Sequence, residues 1–296
     1  MIFQFLTDIS WVVNLRTPLL TPIFEFFTWL GYRNFLFMFI PFAYWCFNRK
    51  IFGPLVLIVF FSALINAWLK DFFQDPRPNS IFNIDPWLEN GTSFGFPSGH
   101  AQIAVVIWLY IAINVKNNIA KIISIIFLFG VPLSRLYLGV HDVGDILGGL
   151  FVGGLILFIA NIINQNLNSE KFKLNLIAQF TLLIFILLLF YLSWPTDRGD
   201  IVVTSVGGLI IGYWVGTIID QNYFSFSRVN NIFLHILSST IALIGFIYLN
   251  EFIENIFENI NLPILLETTL SSLILGFYIS FLAFYLLSKF KIQSIK

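Results

Sequence analysis

Two histidines in this chain sit among residues suited to handling a phosphate-like anion. Phe96-Pro97-Ser98-Gly99-His100 opens one apolar run, and Ser134-Arg135 precedes His141-Asp142-Val143-Gly144-Asp145 by five residues. A third segment, Lys70-Asp71-Phe72-Phe73-Gln74-Asp75-Pro76-Arg77-Pro78, closes another apolar run. Lys70, Arg77 and Arg135 are permanent cations beside apolar sequence, where an unpaired charge is costly, so they call for an anion. Arginine forks match phosphate oxygens two at a time. Pro97-Ser98-Gly99 just before a helix offers backbone N–H groups and a hydroxyl to an oxyanion, and Gly99 permits close approach. One imidazole can attack phosphorus while another protonates the leaving oxygen. Asp145 follows His141 by one helical turn and can hold that ring in the attacking tautomer. Residue types alone leave the two histidines interchangeable.

These residues need elements to position them, and the composition says in what solvent. The 296 residues are 58% hydrophobic and only 11% charged, with a mean hydropathy of +0.85. Soluble domains are about 45–50% apolar and about a quarter charged. The excess cannot be buried in one water-soluble core, so lipid must solvate much of the surface. A net charge of zero argues against nucleic acid as a partner. Apolar runs predict spanning helices at about 34–48, 51–71, 100–115, 119–138, 143–163, 174–193, 201–219, 231–250 and 264–288. Residues 1–33 are interrupted by Asp8, Arg16 and Glu25, and Pro18 and Pro22 break any helix there. They read as an interfacial amphipathic segment, with a spanning segment as the alternative.

Nine spans divide the loops into two sets. One set (48–50, 116–121, 164–173, 220–230 and the tail from 289) holds ten Lys/Arg against Glu170 and Asp220. The rest of the chain holds six Lys/Arg. The positive-inside rule therefore places the basic set in the cytoplasm. Residues 71–99, 139–142, 194–200 and 251–262 then lie outside, and all three motif segments fall on one side at one depth.

The pattern K-x6-RP, PSGH, SR-x5-H-x3-D resembles that of the type 2 phosphatidic acid phosphatase (PAP2) superfamily. It is matched at Lys70, Arg77 and Pro78, at Pro97, Ser98, Gly99 and His100, and at Ser134, Arg135, His141 and Asp145. The resemblance covers about residues 34–163 and implies a metal-independent reaction with no cofactor. It implies that His141 attacks phosphorus to form a phosphohistidine, that His100 protonates the leaving alcohol and later activates water, and that Asp145 orients the nucleophile. Lys70, Arg77, Ser98, Gly99 and Arg135 are then the phosphate-binding residues.

The expected fold is all-α: a polytopic transmembrane bundle with a PAP2-type core over 34–163 and about four additional spans over 174–296 of unassigned role. The expected partners are a membrane and a lipid phosphate, in a bacterial inner membrane with the site on the extracytoplasmic side. The sequence does not choose among phosphatidate, phosphatidylglycerol phosphate, a polyprenyl diphosphate, a sphingoid phosphate or lipid A phosphate, and it leaves oligomeric state open. A lipid phosphotransferase, a vanadium haloperoxidase (disfavoured by the hydrophobicity) and a transporter or scaffold are the rivals.

Other polar residues read as structural. Asp71, Asp75, Asp85 and Glu89 are expected to be solvated loop charges, and Asp197-Arg198-Gly199-Asp200 a structural ion pair. Glu251, Glu254 and Glu258 are expected on a solvated interfacial face, with Cys46 and His235 as packed residues. Gly148, Gly149, Gly153 and Gly154, and Gly207, Gly208, Gly212 and Gly216, read as close helix packing.

Overall fold

The computed structural model describes residues 6–88, 93–167, 175–227, 232–289 and 294–295. Ten helices account for nearly all of it. They are α1 (Leu20–Trp29), α2 (Arg33–Cys46), α3 (Arg49–Phe73), α4 (Gly99–Asn114), α5 (Asn118–Tyr137), α6 (Val143–Leu167), α7 (Leu176–Ser193), α8 (Gly199–Phe224), α9 (Ile232–Ile260) and α10 (Ile264–Lys289). Glu89, Glu170, Lys171, Lys173, Arg228, Lys291 and Lys296, which figured in the sequence reading, lie outside the described residues. Among the described residues, seven helices (α3 and α5 to α10) are long and apolar enough to cross a membrane. The protein is an all-α integral membrane protein, and four of those helices follow residue 174.

Two expected spans are short. Helix α2 has 14 residues, and α4 falls below the roughly 20 residues a spanning helix needs. Helix α9 runs on to Ile260, past the predicted end near 250, and it carries the exposed Glu251, Glu254 and Glu258 as helical residues. Pro22 does not break the helix Leu20–Trp29. It sits in the first turn of α1, where its missing N–H has no intrahelical acceptor to lose.

The chain forms two compact units: Met1–Leu36, Phe61–Ile186 and Trp194–Thr196 make the first, and Phe37–Phe60, Leu187–Ser193 and Asp197–Lys296 the second. The helices after residue 174 do not form a unit by themselves: residues 176–186 of α7 group with the first unit, and residues 37–60 belong to the second.

In the first unit α1 packs on α5, and α4 packs on α5 and α6. Two glycines set the α4–α6 distance. A Cβ on Gly149 would strike the Ser98 carbonyl oxygen, and one on Gly153 would lie 2.7 Å from the Gln102 carbonyl oxygen. Gly148 likewise leaves room for the Phe96 ring. Gly154 is different: nothing lies within 4 Å of its Cβ position, so it is not a packing glycine.

In the second unit Gly208 of α8 abuts the Thr269 carbonyl oxygen at 2.8 Å from its Cβ position, and Gly212 and Gly216 meet Leu273 and Ser280 of α10. Gly207 gives Leu187 similar room. Arg49 pairs with the buried Asp220 and lies 4.2 Å over the Phe284 ring. Cys46 is buried, as expected of a packed thiol. His235 is also buried. A two-residue antiparallel pair joins Phe226–Ser227 to Ser294–Ile295.

Candidate active site

The first unit brings all eight candidate site residues from the three motif segments into one neighbourhood. Helix α6 begins at Val143, and Asp142 caps it: its Oδ1 accepts from the Asp145 N–H at 2.8 Å, while the Asp142 N–H donates back to Asp145 Oδ2 at 3.3 Å. This reciprocal cap fixes the Asp145 carboxylate. Asp145 Oδ2 in turn lies 2.8 Å from His141 Nδ1. Sequence spacing pointed to the His141–Asp145 pair. The capping work of Asp142 went unassigned.

His141 is 1% exposed and sits on a turn made possible by Gly139, whose φ is +76°. That left-handed conformation suits glycine, and a Cβ there would also strike the Phe82 carbonyl. The turn faces His141 Nε2 toward Arg77 Nη1, 3.4 Å away. Guanidinium groups only donate, so Nε2 carries the lone pair and Nδ1 the proton. Burial first, then Lys70, Arg77, Arg135 and His100, hold the His141 ring well below the ordinary imidazole range, which keeps it neutral.

His100 is placed by the first turn of α4. Ser98 is the N-cap, with its hydroxyl accepting from the Ala101 N–H, and its own N–H donates to the Asp145 carbonyl at 2.9 Å. The two histidine-bearing segments are therefore tied through backbone. Gly99 leaves space for Asn66, whose Oδ1 would lie 2.9 Å from a Cβ there. Asn66 donates to Gln102 Oε1 at 2.9 Å and to the Pro97 carbonyl at 3.3 Å, and Gln102 donates to Ser62 at 2.8 Å. This ladder, buried at Ser62 and Gln102, anchors the Pro97–His100 turn to α3. It was missed in the sequence, although Ser62, Asn66 and Lys70 recur every four residues on one face of an apolar helix.

The cations do not wait unpaired. Lys70 donates to the Phe94 carbonyl and, at 3.0 Å, to the Gly95 carbonyl. Arg77 donates to the Ser93 carbonyl, the Ser93 hydroxyl and the Val140 carbonyl at 2.8, 2.9 and 3.1 Å. Burial lowers the Arg77 pKa but leaves a guanidinium charged at any ordinary pH. Arg135 is 1% exposed and paired with Asp85 at 2.5 Å.

Two expected loop charges are therefore corrected. Asp85 is buried because the Ile84 N–H bonds the Leu138 carbonyl at 3.0 Å, which folds the loop under Arg135. Asp71 is buried as well, and accepts from Trp194 Nε1 at 2.9 Å and Thr196 Oγ1 at 2.7 Å. Asp75 is partly exposed, in keeping with its reading.

The N-terminal segment also reaches the site. Thr28 of α1 accepts from Arg135, and its backbone hydrogen-bonds the His100 ring. Tyr32 stands edge-on to His100 with ring centres 4.7 Å apart. Gly31 lies so near His100 that any Cβ would overlap the ring. No short motif marks Thr28, Gly31 or Tyr32 in the sequence.

The fold and the site together define a polytopic α-helical membrane protein with a buried site of two histidines and three cations. Residues 51–169 match the PAP2 superfamily. The chain is 31% identical over 174 residues to phosphatidylglycerophosphatase B of Bacillus subtilis, covering 54% of this chain and 83% of that one. It is 29% identical over 145 residues to sphingosine-1-phosphate phosphatase 2 of Homo sapiens, spanning 46% of this chain and only 36% of the human protein. Among solved structures, a transmembrane PAP2-type phosphatidylglycerolphosphate phosphatase from Bacillus subtilis is similar, with 31% identity, a TM-score of 0.46, and coverage of 55% of this chain and 85% of that one. The chain belongs to the PAP2 superfamily.

Proposed function

We propose that the protein hydrolyses a terminal phosphate ester or diphosphate on a membrane lipid, with His141 as nucleophile. The observation that carries this reading is the orientation of His141. Asp145 holds its Nδ1–H, Arg77 faces its Nε2, and the ring is buried and neutral.

In this reading the phosphoryl group lies among Lys70, Arg77 and Arg135, with Ser98 and Gly99 at its edge. His141 Nε2 forms a bond to phosphorus as the bond to the leaving alcohol breaks, and His100 gives that alcohol its proton. The positive charge that develops on His141 is offset by Asp145. His100, now neutral, then takes a proton from water, whose oxygen attacks phosphorus and breaks the P–N bond. Inorganic phosphate leaves. His100 Nε2 is buried without a hydrogen-bond partner, which suits a group awaiting a substrate oxygen.

A lipid substrate is supported by position. The site lies at the ends of apolar helices, so an acyl chain can stay in the bilayer while its headgroup meets the cations. Names of the relatives point the same way: phosphatidylglycerophosphate and sphingosine 1-phosphate are both lipid monoesters. The excess of Lys and Arg on the opposite loops supports an extracytoplasmic site.

Phosphate release by the purified protein in detergent, with EDTA, across a panel of lipid phosphates tests the reading. Release that survives EDTA and vanishes in His141→Ala is expected, with trapping of phosphate on His141. Release that persists in His141→Ala, or none from any lipid, overturns it.

A further inference from the structure

The carboxylate of Asp85 sits inside a phosphate-binding arrangement, where an anion is unexpected. Its side chain is 0% exposed, and its Oδ2 takes hydrogen bonds from Arg135 Nη1 at 2.5 Å and the Tyr32 hydroxyl at 2.6 Å. Its Oδ1 accepts the Trp87 N–H at 3.2 Å. Arg135 Nη1 also donates to Thr28, and its guanidinium lies 5.5 Å over the Tyr32 ring. Burial, with the neighbouring carboxylate, pushes the Tyr32 hydroxyl up to about 12, so it stays a neutral donor.

This places a fixed negative charge against one of three cations. Lys70, Arg77 and Arg135 face Asp85 and Asp145, so apart from the proton that His100 carries for the leaving alcohol the site holds a single excess positive charge. Asp85 acts within the site rather than beside it, because it is bonded both to Arg135 and to Tyr32, whose ring stands edge-on to His100. Arg135 Nε, by contrast, is buried without a hydrogen-bond partner. Asp85 thus occupies one side of the guanidinium and leaves the other donor for a substrate oxygen. In a buried site, a like charge acts against a ligand in proportion to the charge that ligand brings.

We propose that Asp85 is a specificity-determining residue that restricts the site to lipid phosphomonoesters. It neutralises part of the cationic pocket and so discriminates against headgroups carrying a second ionised phosphate. This deepens the phosphatase reading and rests on it. Specificity of this kind comes from a repulsive element built against the competitor, not from an added contact to the preferred substrate. Tyr32 and Thr28, contributed by the N-terminal segment, hold the pair in place.

The test compares kcat/KM for a long-chain phosphatidate and for farnesyl diphosphate in detergent micelles. The wild type favours the monoester. In Asp85→Asn the diphosphate-to-monophosphate ratio rises about tenfold or more. Asp85→Glu, which keeps the charge, and Tyr32→Phe, which removes only a hydrogen bond, hold the wild-type ratio even where their rates fall. Equal losses on both substrates in Asp85→Asn would show Asp85 to be a structural anchor for Arg135 and overturn the proposal. A second measurement needs no variant. Orthophosphate should inhibit the wild type at lower concentration than pyrophosphate, and the reverse order overturns the charge argument. A wild type that releases phosphate from neither lipid fails at the earlier step, the phosphatase reading itself.

Discussion

Arg77 Nη1 stands 3.4 Å from His141 Nε2, on the side of the imidazole opposite Asp145. A group that can only donate faces the proposed attacking nitrogen, and a carboxylate faces the other. The tautomer is therefore set from both sides before any substrate arrives, so the ring meets phosphorus with its lone pair already in place.

Asp145→Asn should expose that arrangement. An amide can turn its NH2 toward Nδ1 and stabilise the opposite tautomer, with the proton on Nε2. The expected result is a kcat lower by on the order of 10²–10⁴ with little change in KM. Steady-state kinetics beside an unfolding curve check it. A variant that keeps wild-type kcat would remove Asp145 from the mechanism.

The pH dependence follows from the His141 environment. Its folded pKa lies well below the ordinary 6.5, so the neutral form persists as the medium becomes acidic. Protonation in the unfolded chain begins near 6.5, hence the contribution of His141 to stability is full above that pH and is lost as pH falls below it. In kcat/KM, the acid limb belonging to this group should lie below pH 6.5 in the wild type. Lys70→Met removes one of the cations that depress it, so the limb should move to higher pH. Comparing the two enzymes on one substrate cancels the substrate's own ionisation. A limb that stays in place, or moves to lower pH, contradicts this account.

The Ser62–Gln102–Asn66 ladder is predicted to stabilise the Pro97–His100 turn. Gln102→Leu fills the volume but leaves the buried Ser62 hydroxyl without its partner and takes from the half-buried Asn66 amide one of its two acceptors. An unsatisfied buried polar group costs about 1–3 kcal/mol, which should appear as a lower Tm in detergent. The rate should fall too, because His100 is held by that turn. An unchanged Tm would show that the ladder bears no weight.

Helix contact at Gly149 offers a sharper contrast. Gly149→Val places side-chain atoms where the Ser98 carbonyl sits, forcing α4 from α6 and separating His100 from His141. Overpacking of this kind costs about 1–3 kcal/mol, and a loss of kcat should accompany it. Gly154→Ala, one turn further along and facing open space, should change stability by no more than about 0.5 kcal/mol. Equal effects at the two glycines would refute the packing argument.

Membrane partition is a sum over residues along a segment, and helical neighbours are set by covalent spacing. For that reason the sequence alone determined the all-α membrane fold, the four helices after residue 174, the His141–Asp145 pair one turn apart, and the roster of motif residues that the first unit gathers. Residues far apart along the chain carry no such rule. Arg135 and Asp85 are 50 positions apart, and Asp71 and Trp194 are 123 apart. Whether an aspartate in a polar loop stays in water or folds beneath a buried arginine depends on where a backbone bond such as Ile84 to Leu138 pins that loop. The same holds for Thr28, Gly31 and Tyr32, ordinary residues of an interrupted N-terminal segment that become part of the site only when α1 packs on α5. Tertiary structure decided these partners, because the low dielectric that makes a buried charge seek its counterpart exists only once the helices have assembled.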